Sequence, residues 1–321
     1  MTLSPRWSAS RPPRATAGTL LTLIALATSG CGAPAEVSER DVRGPETGVP
    51  PITSGPDTTV EVVTVGDIVC ASDMQVTDTE CQQQATADLA SSLDPDAVVA
   101  LGDLQYESGE LEEFERNWAP GWGRFDDIIA PVPGNHEYQT DGADGYLRYF
   151  QTGPYYVREI GAWRFYLLDS NCDQVNCAQE AAWLTSDLAA NPTSCAAIAM
   201  HHPRWSSSVE HGSQEQVDPL WSAAVEGGVD LSLAGHDHDY ERFAPIDAAG
   251  NLTDSGSGTT HFVVGTGGRS LYEIGDPEMG SQFAIDEAFG VLELSLAPTS
   301  FDWRFVDVDG QTMDAGAQEC S

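Results

Sequence analysis

Asp67, Asp103 with Tyr106, Asn135 with His136, His201 with His202, and His236 with His238 fall at five separate places, each directly after an apolar run. Carboxylate, phenol, amide and imidazole are oxygen and nitrogen donors, a set suited to a borderline metal such as zinc, manganese or iron. Singly, each place has an ordinary explanation. Gly-Asp after a strand is commonly a turn, Gly134-Asn135 is a good turn by itself, and paired surface histidines occur without a metal. The joint pattern outweighs these explanations. Six of the chain's seven histidines lie in or after the five places, and only His261 stands apart as a structural residue. The His-x-His step at 236 and 238 turns both imidazoles to one side when the chain is extended.

Strands must carry these donors. "TVEVVTVGD" (59–67), "DAVVALGD" (96–103), "IIAPVPGNHE" (128–137), "WRFYLLDS" (163–170), "CAAIAMHH" (195–202) and "VDLSLAGHDH" (229–238) read as largely buried strands. Helices are expected over 77–93, opened by a Thr77/Glu80 capping box, over 179–190 and over 214–226. This alternation implies an α/β core. It puts every donor at the C-terminal end of a strand, the edge where open α/β sheets bind ligands. The stretches 261–268, 289–297 and 300–310 read instead as consecutive antiparallel strands. No internal repeat is visible, and 59–310 reads as one domain followed by a tail, 311–321.

Composition narrows the function. The chain has 321 residues, with 50 acidic side chains against 14 basic ones and a formal charge of −36. All the basic residues are arginine. So acidic a surface repels nucleic acid, and a phosphate ester could approach only where something strongly positive sat locally. Residues 1–30 read as a signal peptide of lipoprotein type: Arg6, Arg11 and Arg14 precede the apolar "AGTLLTLIALAT" (17–28), too short to span a bilayer. "SGC" follows, making Cys31 the candidate lipidation site; cleavage after "APA" (33–35) is the alternative. Residues 31–58, rich in proline and glycine, read as a flexible tether. Six further cysteines suit disulfides in an exported protein. They allow 15 pairings; proximity favours Cys70–Cys81 and Cys172–Cys177, with Cys195–Cys320 tying down the tail.

"GD" (66–67), "GDLQY" (102–106), "GNHE" (134–137), "IAMH" (198–201) and "GHDHDYER" (235–242) resemble the five ordered blocks of the purple acid phosphatases, within the wider calcineurin-like metallophosphoesterases. The resemblance covers roughly 60–310. It implies a four-layer α/β/β/α sandwich of two mixed sheets flanked by helices. Most metallophosphoesterases have a histidine where Val69 stands; purple acid phosphatases lack it, and the tyrosine three residues after the second aspartate replaces it as a ligand. On this resemblance Asp67, Tyr106 and His238 hold a first metal, Asn135, His201 and His236 a second, and Asp103 bridges them. The phenolate of Tyr106 favours iron(III), paired with a divalent iron, zinc or manganese. Two cations roughly 3.5–4 Å apart clamp the attacking and leaving oxygens of phosphoryl transfer, and a metal-bound hydroxide attacks a phosphomonoester. His136 touches phosphate, and His211 stands where the family has a histidine near the leaving group, a candidate general acid. His202, Arg204, Arg242 and Arg269 flank the blocks as candidate phosphate contacts; for Arg242 an ion pair with Asp239 or Glu241 is equally open. The first block departs from the family, continuing as Ile-Val-Cys in place of the usual glycine. The implied partner is a small phosphate ester, with membrane contact only through the lipid anchor. Alternatives are a phosphodiesterase or nucleotidase on the same fold, and a non-catalytic surface lipoprotein with a structural metal site.

Overall fold

The computed structural model describes residues 50–52, 58–253 and 258–321. The signal segment, Cys31 and most of the expected tether therefore lie outside the described residues. Apolar runs dominated by valine, alanine, isoleucine and leucine form β1 (Val60–Val65), β2 (Ala97–Leu101), β3 (Ile129–Val132), β4 (Tyr156–Ile160), β5 (Trp163–Leu167), β6 (Ala196–Ala199) and β7 (Leu231–Ala234). They continue with β8 (Tyr240–Phe243), β9 (Thr260–Val264), β10 (Ser281–Ile285), β11 (Gly290–Ala297), β12 (Ser300–Asp307) and β13 (Thr312–Glu319). Helices are α1 (Gln83–Ser92), the short α2 (Leu111–Glu113), α3 (Asp144–Phe150), α4 (Cys177–Ala190) and α5 (Asp218–Glu226).

Two mixed sheets result, ordered β13-β12-β11-β1-β2-β3 and β10-β8-β9-β7-β6-β5-β4. Within them β1, β2 and β3 are mutually parallel, as are β5, β6, β7 and β9. The period-2 alternation of a strand sorts its side chains between two cores. Phe165, Leu167, Ala197 and Ala199 face the core shared by the two sheets, together with Val62, Val99 and Leu294. Tyr166, Leu168, Ile198 and Met200 face the other way, onto Leu184 of α4 and Leu220 of α5. With α1 on the far side, against β11, this is the α/β/β/α layering that the resemblance implies.

Three local expectations are corrected. The helix expected over 77–93 begins only at Gln83, and Thr77 and Glu80 form a tight backbone bridge in place of a capping box. Cys81 sits at φ 62 inside the Cys70–Cys81 disulfide, and Glu80 turns to Arg269 at 2.6 Å. A residue in the left-handed region ends helical propagation. The strand near 261–268 is β9; it lies in the other sheet from β11, parallel to β7 and antiparallel to β8. Residues 311–321 supply β13, an edge strand paired with β12, while Cys320 is bonded to Cys195. Cys172–Cys177 closes the third bridge.

Candidate metal centre

The C-terminal ends of β1, β2, β3, β6 and β7 point to one seam between the sheets, and the loops leaving them are stitched together there. The Asp67 amide donates to the Gly102 carbonyl at 3.1 Å, the Gly235 amide to the His201 carbonyl at 2.9 Å, and the Gly66 amide to the Val264 carbonyl at 2.8 Å. Asp67, Asp103 and His236 adopt φ of 61, 47 and 71. Such left-handed backbone in non-glycine residues costs on the order of 1–3 kcal/mol each and clusters at functional sites. Glycine is required beside them. A Cβ on Gly134 would lie 2.2 Å from Asp103 Oδ1, and one on Gly235 would lie 2.6 Å from Asp67 Oδ2.

All seven expected ligands converge, and each is linked to its neighbours. The Tyr106 hydroxyl is 3.0 Å from Asp67 Oδ1, 3.3 Å from Asp103 Oδ2 and 3.1 Å from His238 Nε2. His201 Nε2 is 3.3 Å from Asp103 Oδ2, 3.1 Å from Asn135 Oδ1 and 3.2 Å from His236 Nδ1. Asp103 thus lies between a Tyr106 group and a His201 group. Behind these ligands, His201 Nδ1 is 2.8 Å from the Leu101 carbonyl and His238 Nδ1 is 2.6 Å from the Ser270 carbonyl. A carbonyl only accepts, so both Nδ1 atoms carry a proton, and each ring in its neutral form presents an Nε2 lone pair to the cluster.

Electrostatics follow from crowding charged groups out of water. Burial pushes the Asp103 carboxyl up, but the His201 imidazolium beside it wins and holds it well below the usual carboxylate range. Conversely, burial presses His201 down while Asp103 and Asp67 raise it to about 10. Burial, then Asp67 and Asp103, raise the Tyr106 phenol well above its ordinary value. It is therefore a neutral donor unless a cation at the same atoms offsets the two carboxylates. Clustered anionic oxygens, imidazole lone pairs and a phenol that only a cation would ionise fit two metal ions by the chemistry of the donors.

Other expected site residues divide. His211 lies on an exposed loop, with its ring stacked on His236 at 4.2 Å. His136 donates its amide to Asp103 Oδ1 at 2.8 Å, and its Nδ1 is 2.6 Å from the Glu107 carbonyl. His202 is buried beside His201 and His236; burial, then the positive His201, lower it to about 3. Arg269 sits 5.4 Å over the Tyr106 ring, paired with Glu80 at 2.6 Å and Glu107 at 3.5 Å. Arg204 and Arg242 are each engaged by an aspartate. Arg204 pairs with Asp218 and stacks on Trp205. Arg242 pairs with Asp314 at 2.7 Å, not with Asp239 or Glu241. Alternation along β8 turns Arg242 away from the face of Glu241. His261 is buried on β9 between Ser232 and Trp205, apart from the cluster.

Three site residues went unread in the sequence. Glu137 accepts from the amides of Gly134, Asp103, Leu104 and Gln105 at 2.7, 2.9, 3.0 and 3.2 Å, joining the loops after β2 and β3. Burial and the Asp103 carboxylate push it up to about 7 against those donors. Tyr272 stacks on His238 at 3.9 Å, and Ser170 contacts His201 and His202. "LLDS" after β5 was a sixth polar strand end and a signal for Ser170; Tyr272 had no signal of its own.

The profile of the family described as calcineurin-like phosphoesterase matches residues 65–240. The chain belongs to that family. Among solved structures, this family member is similar to a purple acid phosphatase from yellow lupin seeds, with TM-score 0.67 at 20% identity over 84% of this chain and 55% of that one. It is also similar to the anchor in the inner membrane complex of Plasmodium, with TM-score 0.62 at 16% identity over 82% of this chain and 90% of that one. At these identities the likeness is one of fold. A curated relative, the Arabidopsis thaliana protein named "Probable inactive purple acid phosphatase 1", is 24% identical over 75% of this chain and 46% of its own length. The chain spans less than half the length of the curated relatives it matches.

Proposed function

We propose that this phosphoesterase-family chain is an exported, binuclear metal-dependent phosphatase that hydrolyses phosphomonoesters. One observation carries the reading: seven side chains of ligand type, from five strand ends, lie in mutual reach around Asp103. Asp67, Tyr106 and His238 would hold one cation, Asn135, His201 and His236 the other, with Asp103 shared. Bound there, two cations supply the positive potential that a chain of charge −36 otherwise lacks, and they lower the pKa of water. The protein's own groups do the rest. Glu137 keeps the Asp103 and Asn135 loops in register. His136, with Nδ1 donating to the Glu107 carbonyl, offers Nε2 to a phosphate oxygen only as imidazolium. As a water oxygen bonds to phosphorus and the ester oxygen leaves, His211 gives that oxygen a ring proton.

Export rests on the three disulfides, which suit an oxidising compartment, and on the N-terminal segment with Cys31 as the lipidated residue. No helix among the described residues is long and apolar enough to cross a membrane. A non-catalytic reading has one specific observation behind it, the name of the Arabidopsis relative. The two readings part on measurement. The phosphatase reading expects about two metals per chain by elemental analysis, at least one of them iron, and faster release of nitrophenol from p-nitrophenyl phosphate than from its bis-ester. A higher rate on the bis-ester would make the chain a diesterase. Phosphatase activity that survives Asn135→Ala and His201→Ala unchanged would leave the cluster without a catalytic role.

A further inference from the structure

His202 raises a question that the cluster itself does not answer. A ring nitrogen of His202 lies within 4.8 Å of ring nitrogens of both His201 and His236, so the three imidazoles could form a metal-binding group of their own. The ring is buried, 4.4 Å from that of His236. Is it a further ligand, or a donor facing whatever binds there? The group behind it decides.

Behind His201 and His238 stand backbone carbonyls. Behind His202 stands the Ser170 hydroxyl, with Oγ 3.0 Å from Nδ1. That oxygen also accepts the backbone amides of His201 at 3.1 Å and His202 at 2.9 Å. A serine hydroxyl has two lone pairs and one proton. The two amides occupy both lone pairs, so the hydroxyl proton is left for His202 Nδ1, which must accept it. A neutral imidazole accepting at Nδ1 carries its proton on Nε2, on the opposite side of the ring. The ring hydrogen bond of His202 among the described residues is made at Nδ1.

We propose that Ser170 is a positioning residue that fixes His202 as its Nε2–H tautomer, making His202 a hydrogen-bond donor to a phosphoryl oxygen at the site and not a metal ligand. Among His201, His202 and His238, the group behind the ring separates the roles: carbonyls stand behind the two ligands and a doubly occupied hydroxyl behind the donor. Ser170 is itself held by its neighbours. The Asn171 amide and side-chain Nδ2 donate to Asp169 Oδ1 at 3.1 and 2.8 Å, and the Asp169 amide donates to Glu180 Oε1 at 2.9 Å.

The donor role rests on the phosphatase reading, but the tautomer does not, and the test separates them. The full chain, labelled with nitrogen-15 histidine and reconstituted with zinc, is examined by long-range nitrogen–proton correlation. His202 should show a bare Nδ1 and a protonated Nε2, whereas His201 and His238 show protonated Nδ1 and metal-shifted Nε2. A His202 with protonated Nδ1, or with a metal-shifted nitrogen, overturns the proposal whether or not the protein turns over any ester. Titration with inorganic phosphate then tests the donor. Ser170→Ala should weaken phosphate binding roughly tenfold, the worth of one hydrogen bond to a charged acceptor, and raise KM more than it lowers kcat. It should leave two zinc ions bound, and Ser170→Thr, which restores the hydroxyl, should recover both. Unchanged phosphate affinity in Ser170→Ala sinks the donor role. If the alanine variant does not fold, His202→Phe, which keeps ring volume without a donor, must show the same tenfold loss with two zinc ions retained.

Discussion

At the scale of single residues, three of the seven candidate ligands sit in left-handed backbone, and such strain persists only when the surroundings over-determine it. Glu137 does much of that, because four amides from two loops share its carboxylate. Glutamine at this position has the same shape but one acceptor oxygen, so two of the four amides would face an N–H₂ group. Glu137→Gln is expected to lower zinc affinity by tenfold to a hundredfold, the usual cost of removing a group that orients ligands. Isothermal titration measures it, and wild-type affinity in the variant would mean that the clamp does not hold the site. The role of Glu137 was not legible in the chain. "GNHE" is readable as a block, but the amides that its last residue binds lie up to 34 positions away.

At the scale of elements, β3 shows how an edge strand is finished. The Val98 amide of β2 bonds the Ile128 carbonyl at 3.1 Å, so alternation turns the carbonyls of Ile129 and Pro131 to the free edge. Proline suits that position, since its missing N–H faces away from the ladder. The exposed carbonyls are then covered: Arg158 donates to Ile129, while the hydroxyls of Tyr146 and Tyr156 donate to Pro131 at 2.9 and 2.8 Å. Each single Tyr→Phe change at these positions should cost about 1 kcal/mol. The double change should cost more than the sum, because only then is the carbonyl deprived of both hydroxyls. Urea denaturation checks this, and simple additivity would show that the two hydroxyls act independently. The strand itself was readable from its apolar run; its place at the edge was not, because edge position depends on which strand fails to pair.

At the scale of the whole molecule, charge and covalent ties set how stability responds to conditions. Burial raises the Asp169 carboxyl from its ordinary 3.8 to about 6, against hydrogen bonds from Tyr138 and Asn171. A carboxyl raised on folding adds stability that is fully present below about pH 4 and is lost as pH rises through about 6. The whole effect is about 3 kcal/mol. Asp169→Asn should therefore gain on wild type by up to that amount between pH 4 and pH 7.5, measured by urea denaturation at both; a difference independent of pH would refute the assignment. Cys195–Cys320 spans 125 residues and ties the start of β6, in one sheet, to the end of β13, at the edge of the other. Replacing both cysteines by serine should cost about 2–5 kcal/mol, read as a lower urea midpoint.

Several features were already decided by the amino-acid sequence. Short-range periodicity marks the buried strands, and the five blocks mark their polar ends, since strand and turn chemistry act within a few residues. Cysteine proximity suggested Cys70–Cys81 and Cys172–Cys177, leaving Cys195 and Cys320 as the pair that ties down the tail. Tertiary structure alone decided what depends on contacts between distant segments. It put β9 in the other sheet from β11, made a strand of the tail, drew Arg242 away to Asp314, and stood a hydroxyl behind His202 where His201 and His238 have carbonyls. A donor type is a property of one residue. Which atom of it carries a proton depends on a neighbour that only folding brings near.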